Sequence, residues 1–255
     1  MCLALLAFAA HPRFRVVIAA NRDEFHARPA APASWITPEI LAGRDLEAGG
    51  TWLGLRRDGR FALLTNFRDP ARNEAGAPSR GALPLRVLED RRPLGDAVAS
   101  LVADADRYNG FSLLAGDLRS LHYLSNRGGG AHAVPPGVHG LSNHLLDTPW
   151  PKVVHTRAAL EAWIAGGSDD IEPLFAFLAD RSAAADEILP STGVPLEWER
   201  LLSPPFIVSE RYGTRCSTVI LIEPDGKARF IERSFDQDGE LCGEVRHPVT
   251  ATSLE

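Results

Sequence analysis

Two apolar runs near the amino terminus constrain this chain more than any other feature: Leu3–Ala10 (LALLAFAA) and Phe14–Ala20 (FRVVIAA), separated by His11-Pro12-Arg13. Each is too short to cross a bilayer, which takes roughly 20 apolar residues. The break around the proline reads as a turn, so the pair reads as a β-hairpin. Neither run alternates apolar with polar residues. A strand with one wet face alternates, whereas near-continuous apolar character belongs to a strand covered on both faces. The chain therefore has to build a layer on each side of its first hairpin.

The rest of the sequence supplies material for those layers. Further strand-like runs are Thr51–Leu55, Phe61–Thr65, Phe111–Ala115, Leu121–Leu124, Thr218–Ile222 and Ala228–Arg233, the last two flanking Pro224-Asp225-Gly226, a hairpin turn signal. Helical patterns lie between them. Lys152–Ala165 sets Val153, Val154, Ala158, Leu160, Trp163 and Ile164 near one side, with Gly166 as its stop. Ser168 or Asp169 can cap a following helix to about Ala179, with Pro173 restricting its start, and Leu94–Ala105 is a third. Strands toward both ends with helices inserted predict sheets assembled from distant segments, hence one α+β domain over residues 1–255. Gly128-Gly129-Gly130 lacks the Lys-Ser/Thr of a phosphate loop and reads as a plain loop.

Composition removes several function classes. The 255 residues carry a net charge of -6 and no basic run longer than two residues, so a nucleic-acid partner is not expected. No apolar stretch is long enough for a membrane span. Leu3–Ala10 has the length of a signal-peptide core and Ala7-Phe8-Ala9 imitates a cleavage site, but no basic segment precedes it, so a cytoplasmic location is expected. Three cysteines, Cys2, Cys216 and Cys242, make no disulfide framework and no C-x-x-C, which fits a reducing compartment. The eight histidines form no H-E-x-x-H or H-x-H pair, and neither a metal nor a cofactor is expected. Arg44, Arg56, Arg57, Arg68 and Arg72, interleaved with Asp45, Asp58 and Asp69, read mostly as solvated surface charges.

Register arithmetic gives the hairpin a chemical meaning. With a turn centred on Pro12, paired residue numbers sum to 24, which sets Cys2 opposite Arg22; half a residue of slip sets it opposite Asp23. Opposed Cβ atoms lie about 4.5–5.5 Å apart. A guanidinium there favours the thiolate over the thiol, whose unperturbed pKa is about 8.5. Removal of Met1 before so small a residue would leave Cys2 a free α-amine with pKa about 7.7–8.0, able to take a proton near neutrality. One residue then carries nucleophile and base. The plainer reading, Cys2 as a buried strand residue and Arg22–Glu24 as a solvated strand end, stands beside it.

Six blocks go further. Met1-Cys2, N-R-D-E at 21–24 with Arg28-Pro29, G-G-T-W-L-G at 49–54, L-T-N-F-R at 64–68, L-S-N at 141–143 with L-D-T-P-W-P-K at 146–152, and Y-G-T-R at 212–215 resemble, in order, the NRDE proteins of the transport and Golgi organisation protein 2 family. That resemblance implies an amino-terminal nucleophile (Ntn) hydrolase-like fold, a four-layer αββα sandwich of two stacked antiparallel sheets between helices. It also implies roles. Similarity to the cysteine acylases of that superfamily makes Cys2 the nucleophile with Arg22 beside it, Asp23 the group that orients the α-amine, Asn143 the first oxyanion candidate and Asn66 the second, and Arg215 a distal arginine. Asn21, Asn66 and Trp52 are the candidates to touch substrate, and Trp35 and Trp52 read either as pocket lining or as core.

Two departures bear on these roles. Adjacent strand residues face opposite sides, so Arg22 and Asp23 are not expected to reach Cys2 from one face. Cys216 stands where the family pattern has serine, either a second thiol near the site or a small buried residue. The leading expectation is a hydrolase of a non-peptide amide or related acyl bond working through a thioester. The alternative is a non-catalytic carrier of haem or an acyl-lipid. Amidotransferase-type glutamine hydrolysis is a third reading, but it needs a synthetase partner for which this chain has no room.

Overall fold

A computed structural model describes residues 2–250, Cys2 through its backbone alone. The strands and helices in chain order are β1 (Cys2–Phe8), β2 (Val16–Phe25), β3 (Ala30–Trp35), β4 (Ile40–Asp45), β5 (Leu53–Arg56), β6 (Phe61–Asn66), α1 (Ala82–Glu89), α2 (Leu94–Ala99), β7 (Phe111–Gly116), β8 (Leu121–Ser125), β9 (Gly130–Val134), β10 (Gly137–Leu141), α3 (Pro151–Ala165), α4 (Glu172–Leu178), α5 (Leu196–Leu201), β11 (Tyr212–Ile222), β12 (Ala228–Phe235) and β13 (Leu241–Val249). They form two antiparallel sheets. One runs β10-β1-β2-β11-β12-β13, the other β3-β4-β5-β6-β7-β8-β9.

The apolar contacts define the layers. Ala4, Leu6 and Phe8 of β1 and Val16 and Ile18 of β2 meet Leu53, Leu55, Phe61 and Leu63 of the second sheet in a core between the sheets. The alternate residues, Leu3, Leu5, Ala7, Val17 and Ala19, pack under Val153, Leu160 and Trp163 of α3 and Leu174, Phe175 and Leu178 of α4. On the far side Leu83, Val87 and Leu88 of α1 and Leu94 and Val98 of α2 cover Ala42, Ala62, Leu64 and Leu113. The arrangement is the αββα sandwich. The first hairpin is buried on both faces, which is why its sequence does not alternate.

Several boundaries differ from expectation, each for a local reason. The helix expected over Leu94–Ala105 is α2 and ends at Ala99, where Ser100 turns back to donate its Oγ to Ala97 O at 2.8 Å, and the chain continues as a 3-10 turn over Val102–Arg107. The helix after Gly166 starts only at Glu172, with Pro173 in its first turn. On α3, Val154 and Ala158 are exposed, and Lys152 and Thr156 are buried in their stead. Lys152 is held by its ammonium, which donates to Leu202 O at 2.9 Å. Arg56 and Arg68 are buried rather than solvated. Arg56 donates to Leu88 O and Asp90 O at 3.0 and 2.7 Å, satisfying carbonyls at the end of α1 that lack helical partners.

The sheets are also tied by a polar contact. Glu232 on β12 lies in the interface between them, accepting Ala33 N–H from β3 at 2.7 Å and the Thr218 hydroxyl of β11 at 3.1 Å. A register shift in β3 between Ala31 and Ser34 frees Ala33 N–H for this bond. Burial pushes the Glu232 carboxyl up, against opposing help from Ala33, Thr218, Cys216 and Arg22.

Candidate active site

The β1–β2 register sets Cys2 opposite Arg22, Leu3 opposite Asn21 and Ala4 opposite Ala20. The Cys2 side chain and Met1 lie outside the described residues. Beside Arg22 opens a cavity of about 340 Å³, walled by Leu64 and Asn66 of β6, by Trp52 just before β5, and by Ser79, Arg80 and Gly81 from the loop leading into α1. Glycines make the wall possible. A Cβ on Gly43 would meet Trp52 at 2.3 Å, so only glycine lets the indole lie against β4, and a Cβ on Gly50 would meet the Gly81 backbone at 2.5 Å. The Arg22 guanidinium stacks over the Trp52 ring at 4.3 Å.

Charge dominates this cavity. Arg28 binds three carboxylates: Asp45 at 2.6 Å, Glu47 at 2.9 Å and Glu24 at 4.0 Å. Burial pushes Asp45 up, but the Arg28 guanidinium and the backbone N–H groups of Ala48 and Glu47 outweigh it and hold the carboxyl below its usual range. Arg22 Nη2 lies 3.7 Å from the same Asp45. Arg22 Nη1 is buried with no hydrogen-bond acceptor among the described residues, in a residue only 5% exposed. Such a group is costly to leave unsatisfied.

Asp23 turns to the opposite side of β2. Its Oδ1 accepts the Thr214 hydroxyl at 2.7 Å, and its backbone carbonyl accepts the Tyr212 phenol at 3.0 Å. Burial raises its carboxyl above the ordinary value, with Lys152, Thr214 and Arg22 acting the other way. Tyr212 and Thr214 stand in the Y-G-T-R block and hold Asp23, and the charge of Lys152, from the L-D-T-P-W-P-K block, favours its ionised form.

The two asparagine candidates are coupled. Asn143 is fully buried, sits in the left-handed region at φ 54°, and donates its Nδ2 to Asn66 O at 3.0 Å. Asn66, not Asn143, borders the cavity, and its own carboxamide has no hydrogen-bond partner among the described residues. Asn21 does not border the cavity. It faces the helical layer, donating to Leu178 O and Pro205 O at 2.8 and 2.9 Å and accepting the Ser217 hydroxyl at 2.6 Å, so its carboxamide is committed to packing. Arg215 lies at the β11 irregularity, with Nη1 donating to Phe25 O, His26 O and Arg28 O at 3.3 Å each. It braces the turn that carries Arg28. Cys216 is buried on the rank of Arg22, between Arg22 and Ser234.

Sequence reasoning missed Asp45, Glu47 and Arg80 as site residues. Arg28 stood in a quoted block, but two of its three carboxylate partners, Asp45 and Glu47, lie 17 and 19 positions away, and only the fold joins them. Trp35 packs against the inter-sheet core under Arg57, 3.9 Å from its ring, and is not cavity lining. Among the described residues no group of three or more His, Cys, Asp or Glu side chains is placed to hold a metal ion, and no helix is long and apolar enough to cross a membrane.

An αββα sandwich with a charged cavity at the head of its first strand is thus the class that fold and site define. The chain belongs to the Transport and Golgi organisation 2 family, whose family model matches residues 1–237. It is 36% identical over 260 residues to the Transport and Golgi organization protein 2 homolog of Bos taurus, covering 92% of this chain and 93% of that one. It is 34% identical to the Homo sapiens homolog, covering 93% and 95%, and 27% identical to the Drosophila melanogaster protein, covering 94% and 95%. Among solved structures it is similar to a Caenorhabditis elegans N-acylethanolamine-hydrolyzing acid amidase ortholog, at TM-score 0.48 and 12% identity over 88% of this chain and 93% of that one. It is also similar to a mutant conjugated bile acid hydrolase from Clostridium perfringens, at TM-score 0.47 and 9% identity over 100% and 99%.

Proposed function

We propose that the chain is an amino-terminal cysteine hydrolase that cleaves a non-peptide amide or related acyl bond through a thioester. One observation carries the reading: β1 begins at Cys2 opposite Arg22, and Arg22 borders the charged cavity. After removal of Met1, the α-amine of Cys2 takes the thiol proton and the sulfur attacks the carbonyl carbon. The Arg22 charge favours the thiolate, and Asn66 donates to the oxyanion while Asn143 holds the Asn66 backbone. The tetrahedral intermediate collapses, and the amine leaves with the proton from the α-ammonium. Water then gives a proton to the α-amine and attacks the thioester, and the sulfur departs, taking that proton back from the α-ammonium as the carboxylic acid is released. Asp23, fixed by Thr214, steadies the ammonium form.

The test uses a Cys242→Ser protein, because Cys242 is exposed and would compete for thiol reagents. Intact mass is expected to show Met1 absent. Chromogenic aryl amides are expected to leave a hydroxylamine-sensitive acyl group on Cys2, with turnover rising through pH 7.7–8.0, the ordinary range of an α-amine. Cys2→Ser, checked for an unchanged melting temperature, is expected to lose turnover by at least a hundredfold. Retained Met1, or full activity in that variant, sinks the reading. Stoichiometric binding of haem or an acyl-lipid without consumption sides with the carrier alternative.

A further inference from the structure

We infer that the ligand of this cavity is a small amide bearing its own carboxylate, and not a long-chain acyl amide. What happens to that ligand rests on the hydrolase reading, but its chemistry is argued from the walls alone. Three arginines, Arg22, Arg28 and Arg80, share the cavity lining with four acidic residues, Asp23, Glu24, Asp45 and Glu47, of which Asp23 turns its carboxyl to Thr214. Arg28 is committed to Asp45 and Glu47, and Arg80 Nη1 donates to Gly110 O at 2.9 Å. Arg22 differs. Its Nη2 lies near Asp45, Trp52 covers a face of the guanidinium, and Nη1 is buried with no acceptor among the described residues.

A buried N–H of a permanent cation calls for an acceptor, and the described residues do not supply one. A ligand oxygen does. An anionic oxygen suits best, because a charge-assisted bond is about twice as strong as a neutral one. Asn66, with an uncommitted carboxamide on the same cavity, leaves a second donor for the scissile carbonyl. Size points the same way: about 340 Å³ lies at the small end of ligand pockets. An alkyl chain laid against these ionised walls would strip their water and return nothing.

Binding to the Cys2→Ala protein separates ligand chemistry from catalysis. Two series serve as probes: N-acetyl amino acids with their methyl esters, equal in shape but lacking the charge, and N-acyl methylamides from acetyl to dodecanoyl. Calorimetry is expected to show each acid binding at least tenfold more tightly than its ester, with affinity flat or falling along the chain series. Arg22→Gln in the same background is expected to erase the acid-over-ester preference. Equal binding of acid and ester, binding of neither series, or a gain of about fourfold per methylene, the mark of an apolar tunnel, overturns the inference. The wild-type protein given the tightest-binding acids then tests the other reading separately. Binding without an acyl group on Cys2 overturns the hydrolase and leaves the ligand class standing. Acylation by long-chain amides alone does the reverse.

Discussion

At the scale of single residues, the site is held by groups whose own chemistry is spent on position. Asn143 accepts a left-handed backbone at φ 54°, which asparagine tolerates better than most residues, and so brings its amide to the Asn66 carbonyl. Glu232 does similar work between the sheets, and its ionisation has a price in stability. Its carboxyl is raised above 4.5 by burial. A raised carboxyl favours the fold fully below its unfolded value, and that contribution is lost as pH climbs through the raised native value. Glu232→Gln keeps an acceptor for Ala33 N–H and cannot ionise. The variant is therefore expected to gain melting temperature relative to wild type as pH rises above about 4.5, with the gain levelling off past the native value. A difference that does not change with pH removes Glu232 as an ionising group.

At the scale of elements, β10 shows how an edge strand is protected and why it escaped the sequence. Its free edge is covered by the chain that follows: Gly140 N–H donates to Asp147 Oδ1 and Asp147 N–H donates back to Gly140 O, both at 2.8 Å. A Cβ on Gly140 would meet Val153 at 2.5 Å, so α3 sits directly on the strand. His139 completes the clamp, with Nδ1 2.8 Å from Asp147 Oδ2 and Nε2 3.0 Å from Pro135 O. Burial lowers its pKa, but Asp147 and the Pro135 carbonyl raise it by more, so the net shift is upward from 6.5. Asp147 is held below 3.8 by His139 and Gly140 despite burial. The histidine contribution is thus full below 6.5 and lost as pH rises through its raised value, and the aspartate contribution is lost as pH falls through its lowered one. His139→Gln is expected to destabilise by about 1.5–3 kcal/mol near pH 6, the scale of a charged hydrogen bond, and far less at pH 9. Denaturant titration at the two pH values checks it, and an equal loss at both rules out the charged clamp.

At the scale of the whole molecule, legibility follows burial except at β4, a largely buried strand between two partners that fell in none of the expected runs. β1, β2, β6 and β7 were readable as unbroken apolar runs because layers cover both their faces. The outer strands β3, β9, β10 and β13 were not, because exposure, Pro32, Pro248 and several glycines erase the pattern, and neighbours rather than propensity hold them. The site divides the same way. The Cys2–Arg22 register came from a local hairpin whose strands are joined by residues 9–15, whereas Arg28–Asp45, Thr214–Asp23 and the Ser79–Gly81 wall are joined only by sheet assembly. The same gradient sets local stability, since amides open by global unfolding only where packing surrounds them. Leu5, Val17, Ile18, Val219 and Ile220 lie in strands with a partner on each side and fully buried side chains. Leu241–Arg246 of β13 lie on an edge and are mostly exposed. Native-state hydrogen exchange is expected to give the central amides the full unfolding free energy, with a denaturant dependence matching global unfolding. Amides of β13 should exchange by local opening, at least a hundredfold faster and nearly independent of denaturant. If β1 and β2 exchange as readily as β13, the hairpin is not the rigid base that the proposed chemistry at its first residue requires.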